Sequence, residues 1–513
     1  ALQAQDPEPL PPAPADVPTL VVLLTVDQLL PGYFERFGEL SGGLGRLYRG
    51  GAVFTNAFHD HANTETAPGH ASTMSGRFPA STGIVSNAAG VQDPQAPLIG
   101  GAAGPGASPF RFRGSTLTDW LRFKDPTSRA LSVSRKDRGA ILPIGRDPQD
   151  VYWYASNGTF TTSTWYRDTL PSWVQRFNAR RMPHSYAGRE WTLMLDESAY
   201  PEADSLELGS ARGNVLFPHV VPSTPDSAAG FLPNFPFMDE VTLAFAIEGM
   251  QELQLGSGPQ TDILAVSLSA TDAVGHAFGP DSRELHDHIL RLDRMVGVFL
   301  DSLFRLRDSS RVVIALTSDH GVAPYPRVRE QLGRGAAVYL DSRDRLRAFT
   351  EALPAAGVPG GAVGIEDGVL LVDRPALTRA GVNADSLITS FISIAREIPG
   401  VARVDRMSEL MRADTATDFI ARRWLHMLPP DMPAEAVLTP VEYAVPLGST
   451  YAQHGSPYDY DAHVPVIFYG RPFRAGRYDE FARVVDIAPT LGWVTATTPL
   501  EKLDGRVLRA AIR

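Results

Sequence analysis

The chain has 513 residues with a formal net charge of -11, 43% hydrophobic and 20% charged residues. That balance excludes a disordered or fibrous chain and supports either one large α/β unit with insertions or two to three domains. The acidic excess gives no overall positive field for nucleic acid or an anionic membrane, no apolar run approaches the ~20 residues that span a bilayer, and the lack of cysteine excludes disulfides, thiolate metal ligands and Cys nucleophiles.

Residues 1–18 are rich in Pro, Ala and Asp and read as the flexible start of a processed chain, which points to export. Residues 19–27 (TLVVLLTVD) form a continuous apolar run ending in Asp27, the pattern of a central parallel strand that delivers an acid at its C-terminal end. Residues 64–74 (TETAPGHASTM) read as a loop entering a helix, with Pro68 suited to the first turn. Residues 88–108 and 206–237, rich in Gly, Pro, Ala and Ser, read as loops. The segments 262–272 (DILAVSLSATD), 311–319 (RVVIALTSD) and 464–470 (VPVIFYG) repeat the apolar-run pattern. Between the first two of these, Leu285, Ile289, Leu292, Val296, Phe299 and Leu303 recur at three- and four-residue steps, so 282–304 is an amphipathic crossover helix. The stretch 335–435 alternates strand and helix patterns and reads as an inserted α+β subdomain. Segments 1–18, 19–334 with 436–513, and 335–435 are therefore the three expected parts.

Ligands of open α/β sheets sit beyond the carboxyl ends of the strands, so acids at three such ends are candidates for one site. Asp272 and His276 form a D-x-x-x-H pair, and Asp319-His320-Gly321 sets an acid beside an imidazole. Carboxylate and imidazole are the ligands of zinc sites without cysteine, and two clusters suit a two-metal centre for phosphoryl transfer. Each motif alone fits a surface or capping pair equally well; it is the combination with Asp27 that singles them out. His454, in the Gly-flanked Y-A-Q-H-G-S, is a further ligand candidate or an ordinary loop residue. His59, His61, His286 and His288 read as solvated or locally bonded, and His463 similarly. Thr66 reads either as a helix N-cap or as a hydroxyl placed to attack an anion held at a helix N-terminus. Asn87 lies in a Ser-Asn turn. Only three lysines, Lys124, Lys136 and Lys502, stand among 47 Lys and Arg residues. Lys136 falls in S-R-K-D-R, and an extended backbone there would set Lys136 and Arg138 on one face, two cations suited to a phosphate dianion.

Taken in order, Asp27, T-E-T-A-P-G-H, S-N, K-D-R, D-A-V-G-H, D-H-G and the late H-G resemble the alkaline phosphatase superfamily over about residues 20–494. Within it, the sequence resembles the bacterial phosphate-irrepressible alkaline phosphatases with a Thr nucleophile, in the type I phosphodiesterase/nucleotide pyrophosphatase group. The resemblance implies a mostly parallel central sheet flanked by helices with a smaller accessory subdomain, and a periplasmic or secreted hydrolase. It implies two Zn2+, one held by Asp272, His276 and His454 and the other by Asp27, Asp319 and His320. Thr66 would be the metal-bound nucleophile, forming a phosphothreonine, and Asn87, Lys136 and Arg138 would bind phosphoryl oxygens. The expected substrates are small phosphate monoesters, with no stable nucleic-acid or membrane partner and with monomer and homodimer both open. The alternative is a phosphodiesterase or phosphonate monoester hydrolase; related diesterases lack the K-x-R pair, which is present here.

Overall fold

The structure, a computed structural model, describes residues 16–38, 40–203, 216–449 and 452–513. Nearly all of the N-terminal segment 1–18 lies outside the described residues. The core is a nine-stranded sheet built, in chain order, from Leu20–Val26 (β1), Ala52–Phe54 (β2), Ala130–Ser134 (β3), Asp150–Tyr154 (β4), Phe160–Thr161 (β5), Asp262–Leu268 (β6), Val312–Thr317 (β7), Val466–Tyr469 (β8) and Gly476–Tyr478 (β9). Its spatial order is β9-β2-β8-β7-β1-β6-β3-β4-β5. Strands β7, β1, β6, β3 and β4 run parallel, and β8 pairs antiparallel with β7 and β2. The apolar run at 464–470 thus forms a strand of opposite direction to the others it resembles, because an apolar run marks burial and carries no sign of direction.

Period-two alternation explains why β1 is apolar throughout. Leu20, Val22, Leu24 and Val26 pack into the core on one face, while Val21 and Leu23 pack into the core on the other. The two inner neighbours divide likewise, Leu264 and Val266 against Ile263 and Ala265 in β6, and Ile314 and Leu316 against Val313 and Ala315 in β7. Burying both faces removes these side chains from water, a gain of about 1.5–3 kcal/mol for each Val, Leu or Ile before chain entropy is set against it.

Four helices position the site: Thr66–Ser75 (α1), Asp137–Ile141 (α2), Ala270–Phe278 (α3) and Arg283–Leu306 (α4). In α4 the six predicted apolar positions are all buried, and Ser282 caps it by accepting a hydrogen bond from the Leu285 amide. The loop reading of 88–108 fits its backbone, which forms isolated bridges alone, Gln92 with Ala107 and Leu98 with Ser163. In 206–237, by contrast, Pro225–Phe231 is helical and Leu232–Asn234 is a short 3-10 turn, with Pro225 at the first helical position; 204–215 lie outside the described residues.

The stretch 335–435 carries most of a second, antiparallel sheet of order Val363–Glu366, Val369–Val372, Ala434–Pro440, Val401–Arg406, whose strand Ala434–Pro440 runs past the expected boundary at 435. The helices Arg343–Ala352 and Ala384–Arg396 cover it with their own apolar core around Phe349, Ile388 and Phe391. Helix Phe419–Met427 then ties this unit to the main sheet through a buried charge. Asp60 is 1% exposed and receives Arg422 at 3.1 Å and Arg483 at 2.9 Å, with Arg423 at 3.6 Å. Burial pushes the Asp60 carboxyl up, but hydrogen bonds from His426 and Arg483 and the Arg422 charge outweigh it and hold the group well below the usual carboxylate range. A folded-state pKa lower than the unfolded one contributes stability above the unfolded value, about 4, and that contribution is lost as pH falls below it. Asp60→Asn should therefore destabilise the protein at pH 7 by about 3–5 kcal/mol, since it strands buried guanidinium groups. The gap to wild type should narrow below about pH 4 in urea-unfolding curves; a gap independent of pH would refute the charge argument.

Candidate active site

All the candidate residues lie at the carboxyl ends of the parallel strands. Asp27 follows β1, Asp319 and His320 follow β7, and Asp272 and His276 lie on α3, which follows β6. Four-residue spacing on a helix puts the last two side chains on one face, with His276 Nε2 3.1 Å from Asp272 Oδ1. His454 approaches from the loop before β8; its ring stacks on His320 with centroids 3.6 Å apart and lies 5.0 Å from His276.

Three histidines share one design. His276 Nδ1 is 2.6 Å from the Ala452 carbonyl, His454 Nδ1 is 2.8 Å from the Thr64 carbonyl, and His320 Nδ1 is 2.9 Å from the Gly321 carbonyl. A carbonyl only accepts, so each Nδ1 carries a proton and Nε2 is the atom turned toward the cluster, the arrangement of metal-ligating imidazoles; the Asp272 carboxylate outweighs burial and raises the His276 imidazole above its ordinary pKa. Two sets of ligand atoms converge within metal-binding range: Asp272, His276 and His454, and Asp27, Asp272 and His320. Asp272 belongs to both. Asp319 stands beside the second set, its Oδ2 3.7 Å from His320 Nε2 and 3.3 Å from His70 Nδ1.

The electrostatics call for cations. Asp27, Asp272 and Asp319 are almost fully buried, and two fixed cations reach them: Lys136, with Nζ 2.5 Å from Asp27 Oδ2 and 2.8 Å from Asp272 Oδ2, and the Arg135 guanidinium, 3.8 Å from Asp272 Oδ2. Burial, followed by the neighbouring Asp272 and Asp319 charges, pushes the Asp27 carboxyl well above its ordinary range despite Lys136. Asp272 is held well below that range, because Lys136 and His276 outweigh the opposing effect of burial. Burial, with His320 and His276 nearby, pushes His454 well below the usual imidazole value and keeps it neutral. Asp27 Oδ1 and His320 Nε2 are buried without any hydrogen-bond partner. Such orphaned acceptors are costly unless something electropositive meets them, and the donor set of carboxylate oxygen and neutral imidazole fits zinc.

Thr66 opens α1 as its first helical residue; Glu65, not Thr66, holds the N-cap position. Its hydroxyl is therefore free of capping duty, and Oγ1 lies 3.2 Å from Lys136 Nζ. Asn87 Oδ1 accepts the Ala67 N–H at 2.9 Å, and the Asn87 N–H donates to Glu65 Oε2 at 2.7 Å. These bonds fix Asn87 beside the start of α1. The extended backbone expected through 134–138 is corrected: β3 ends at Ser134 and Lys136 is the N-cap of α2. Arg138 is inside that helix, 3.6 Å from Asp137, so the two cations share a helix start rather than a strand face.

Sequence reasoning missed two struts. His70 is fully buried, with Nδ1 2.9 Å from the Thr66 carbonyl and Nε2 3.0 Å from Ser267 Oγ, and it links the Thr66 helix to Asp319. Gly69 lets α1 touch the Asp319 turn directly, since a Cβ there would stand 2.2 Å from the Asp319 carbonyl oxygen. The G-H pair of T-A-P-G-H was the available signal. His59, His61, His286 and His288, read as solvated or locally bonded, are all buried. His59 Nε2 bonds the distant Ser318 carbonyl, and His286 Nδ1 meets Glu202.

Comparison with known proteins places this geometry in a family. The model of the type I phosphodiesterase / nucleotide pyrophosphatase family matches residues 21–362. A Myroides odoratus protein named calcium-transporting ATPase is 30% identical over 506 residues, covering 93% of this chain and 91% of that one. Alkaline phosphatase PhoK of Sphingomonas sp is 30% identical over 537 residues, covering 96% and 91%. The crystal structure of wild-type alkaline phosphatase PafA superposes with a TM-score of 0.87 at 25% identity, over 99% of this chain and 100% of that one. Among the described residues no helix is long and apolar enough to cross a membrane. The chain belongs to the type I phosphodiesterase / nucleotide pyrophosphatase family.

Proposed function

We propose that this chain is a zinc-dependent phosphoric monoester hydrolase, an alkaline phosphatase, that works through a covalent phosphothreonine on Thr66. The observation that carries the reading is a hydroxyl at a helix start, 3.2 Å from a buried ammonium that itself touches two carboxylates facing three imidazoles. Likeness to proteins named alkaline phosphatase over nearly the whole chain supports it.

Asp272, His276 and His454 would hold one zinc, and Asp27, Asp319 and His320 the other, with Asp272 also within reach of the second. Zinc bound there supplies Lewis acidity, lowering hydroxyl pKa values and neutralising charge that develops in the transition state. Thr66 Oγ1, its proton given up to solvent, attacks phosphorus in line; the Oγ1–P bond forms as the ester P–O bond breaks, and the departing oxygen takes up a proton from water and leaves as the alcohol. Lys136, Arg138 and the Asn87 amide hold the non-bridging oxygens, and the first amides of α1 add the positive end of its dipole. Water then attacks phosphorus, releases phosphate and returns Thr66 to its hydroxyl. His70 keeps the nucleophile's helix in register with Asp319 throughout.

Zinc-loaded protein should hydrolyse p-nitrophenyl phosphate with a far higher kcat/KM than bis-p-nitrophenyl phosphate. Treatment with EDTA should abolish turnover and lower the melting temperature by several degrees, because three buried carboxylates then face one another against the two fixed charges of Lys136 and Arg135, and added zinc should restore both. A second reading comes from the matched family, which is named for phosphodiesterases. Preference for the diester would move the substrate class there and leave the metal site intact.

A further inference from the structure

Gln28, the residue after Asp27, is where β1 turns into the site. Its φ of +66° lies in the left-handed region, which residues with a side chain rarely adopt and which persists where surrounding structure enforces it. Its side chain is buried, at 1% exposure. The backbone N–H of Gln28 donates to Asp319 Oδ1 at 3.2 Å, and its side-chain Nε2 donates to Asp272 Oδ1 at 3.1 Å. A carboxylate only accepts, so the nitrogen end of the amide faces Asp272. The next amide, that of Leu29, donates to Ser318 Oγ at 2.9 Å, tying the turn to the segment that carries Asp319 and His320. Room for the side chain is specific to this sequence: a Cβ on Gly275, in the middle of D-A-V-G-H, would stand 1.8 Å from Gln28 Oε1.

We propose that Gln28 is the positioning residue of the metal centre. One residue joins the three segments that carry Asp27, Asp272 and Asp319, and it donates one hydrogen bond to each of the latter two carboxylates. Buried carboxylates repel and would rotate apart; the two N–H ties hold them in place before any cation arrives. The side-chain tie acts on Asp272 Oδ1, the oxygen that also lies 3.1 Å from His276 Nε2 and 3.9 Å from His454 Nε2. The effect of the Gln28 side chain should thus fall on the zinc held with those two histidines. This inference rests on the ligand assignment given above.

Two variants test it. Gln28→Gly keeps the turn, since glycine adopts positive φ freely, and keeps the main-chain donor, so it deletes only the side-chain arm. Gln28→Glu keeps the shape and replaces the donor by an acceptor. Zinc affinity is read by competition with a chromophoric chelator, together with the melting temperature of the metal-free protein and turnover of p-nitrophenyl phosphate. In Gln28→Gly one of two zinc affinities should fall about 10–100-fold while the other holds, the metal-free melting temperature should stay at the wild-type value or above, and excess zinc should return kcat toward wild type. Gln28→Glu should weaken the same zinc further. Wild-type zinc affinities in both variants would overturn the proposal, as would a loss that follows a lowered metal-free melting temperature and is not rescued by zinc. A wild-type protein that takes up no zinc would overturn the ligand assignment itself, a result distinguishable before either variant is made.

Discussion

Replacing Thr66 by alanine in the zinc-loaded protein should eliminate the phosphoenzyme and lower kcat/KM for p-nitrophenyl phosphate at least about a thousandfold, a loss of about 4 kcal/mol or more of transition-state stabilisation. The fold should tolerate the change. Helix α1 takes its N-cap from Glu65, the Thr66 hydroxyl makes no capping bond, and its one hydrogen-bond partner is Lys136 Nζ. Acid-quenched samples with radiolabelled substrate would carry label on wild type and none on Thr66→Ala, and Thr66→Ser should retain a labelled intermediate. Turnover near wild type in the alanine variant, with zinc content unchanged, would remove Thr66 from the chemistry.

Replacing Lys136 by alanine should cost the monoester about 30–100-fold in kcat/KM, about 2–3 kcal/mol for one charge-assisted contact to a phosphoryl oxygen, and should change diester hydrolysis by less than about threefold. A monoester brings one more charged oxygen than a diester, and Lys136 Nζ, 3.2 Å from Thr66 Oγ1, is placed to meet it. Arg138→Ala should act in the same sense, and the double variant should bring the two efficiencies close together. Zinc content must be measured alongside, because the same ammonium lies 2.5 Å from Asp27 and 2.8 Å from Asp272. Equal losses on both substrates would remove the discriminating role and favour the diesterase reading.

What could be read from the sequence was what repeats locally. Apolar runs ending in Asp27 and Asp319 announced buried strands with a polar residue at the ligand-binding end, and four-residue spacing announced that Asp272 and His276 share a helix face. The direction of the strand at Val466–Tyr469 was not legible, because both parallel and antiparallel strands in a sheet covered on two sides read as unbroken apolar runs. Nor was the helix that starts after Lys136: five residues, D-R-G-A-I, are too few to show a helical period. The burial of His59, His61, His286 and His288 depends on partners such as Ser318 and Glu202 that are remote in sequence. Gln28 was hidden for a similar reason. Its meaning lies in a backbone angle and in two carboxylates hundreds of positions away, and neither leaves a local pattern.

The site joins residues far apart in sequence, Asp27 and His454. Asp27 leaves the ribosome well before His454, and at about 5–20 residues per second the interval is on the order of tens of seconds. During that interval the acids of β1, β6 and β7 exist without the imidazole that closes their first cluster. The carbonyl that sets the His276 tautomer belongs to Ala452, and so it too arrives late. A chain that stops short of His454 therefore holds the three acids with His276 and His320 alone, a donor set richer in oxygen that by ligand chemistry leans further from zinc toward magnesium or calcium. A preference of the proposed first cluster for zinc would thus depend on His454 and Ala452, residues made long after Asp27.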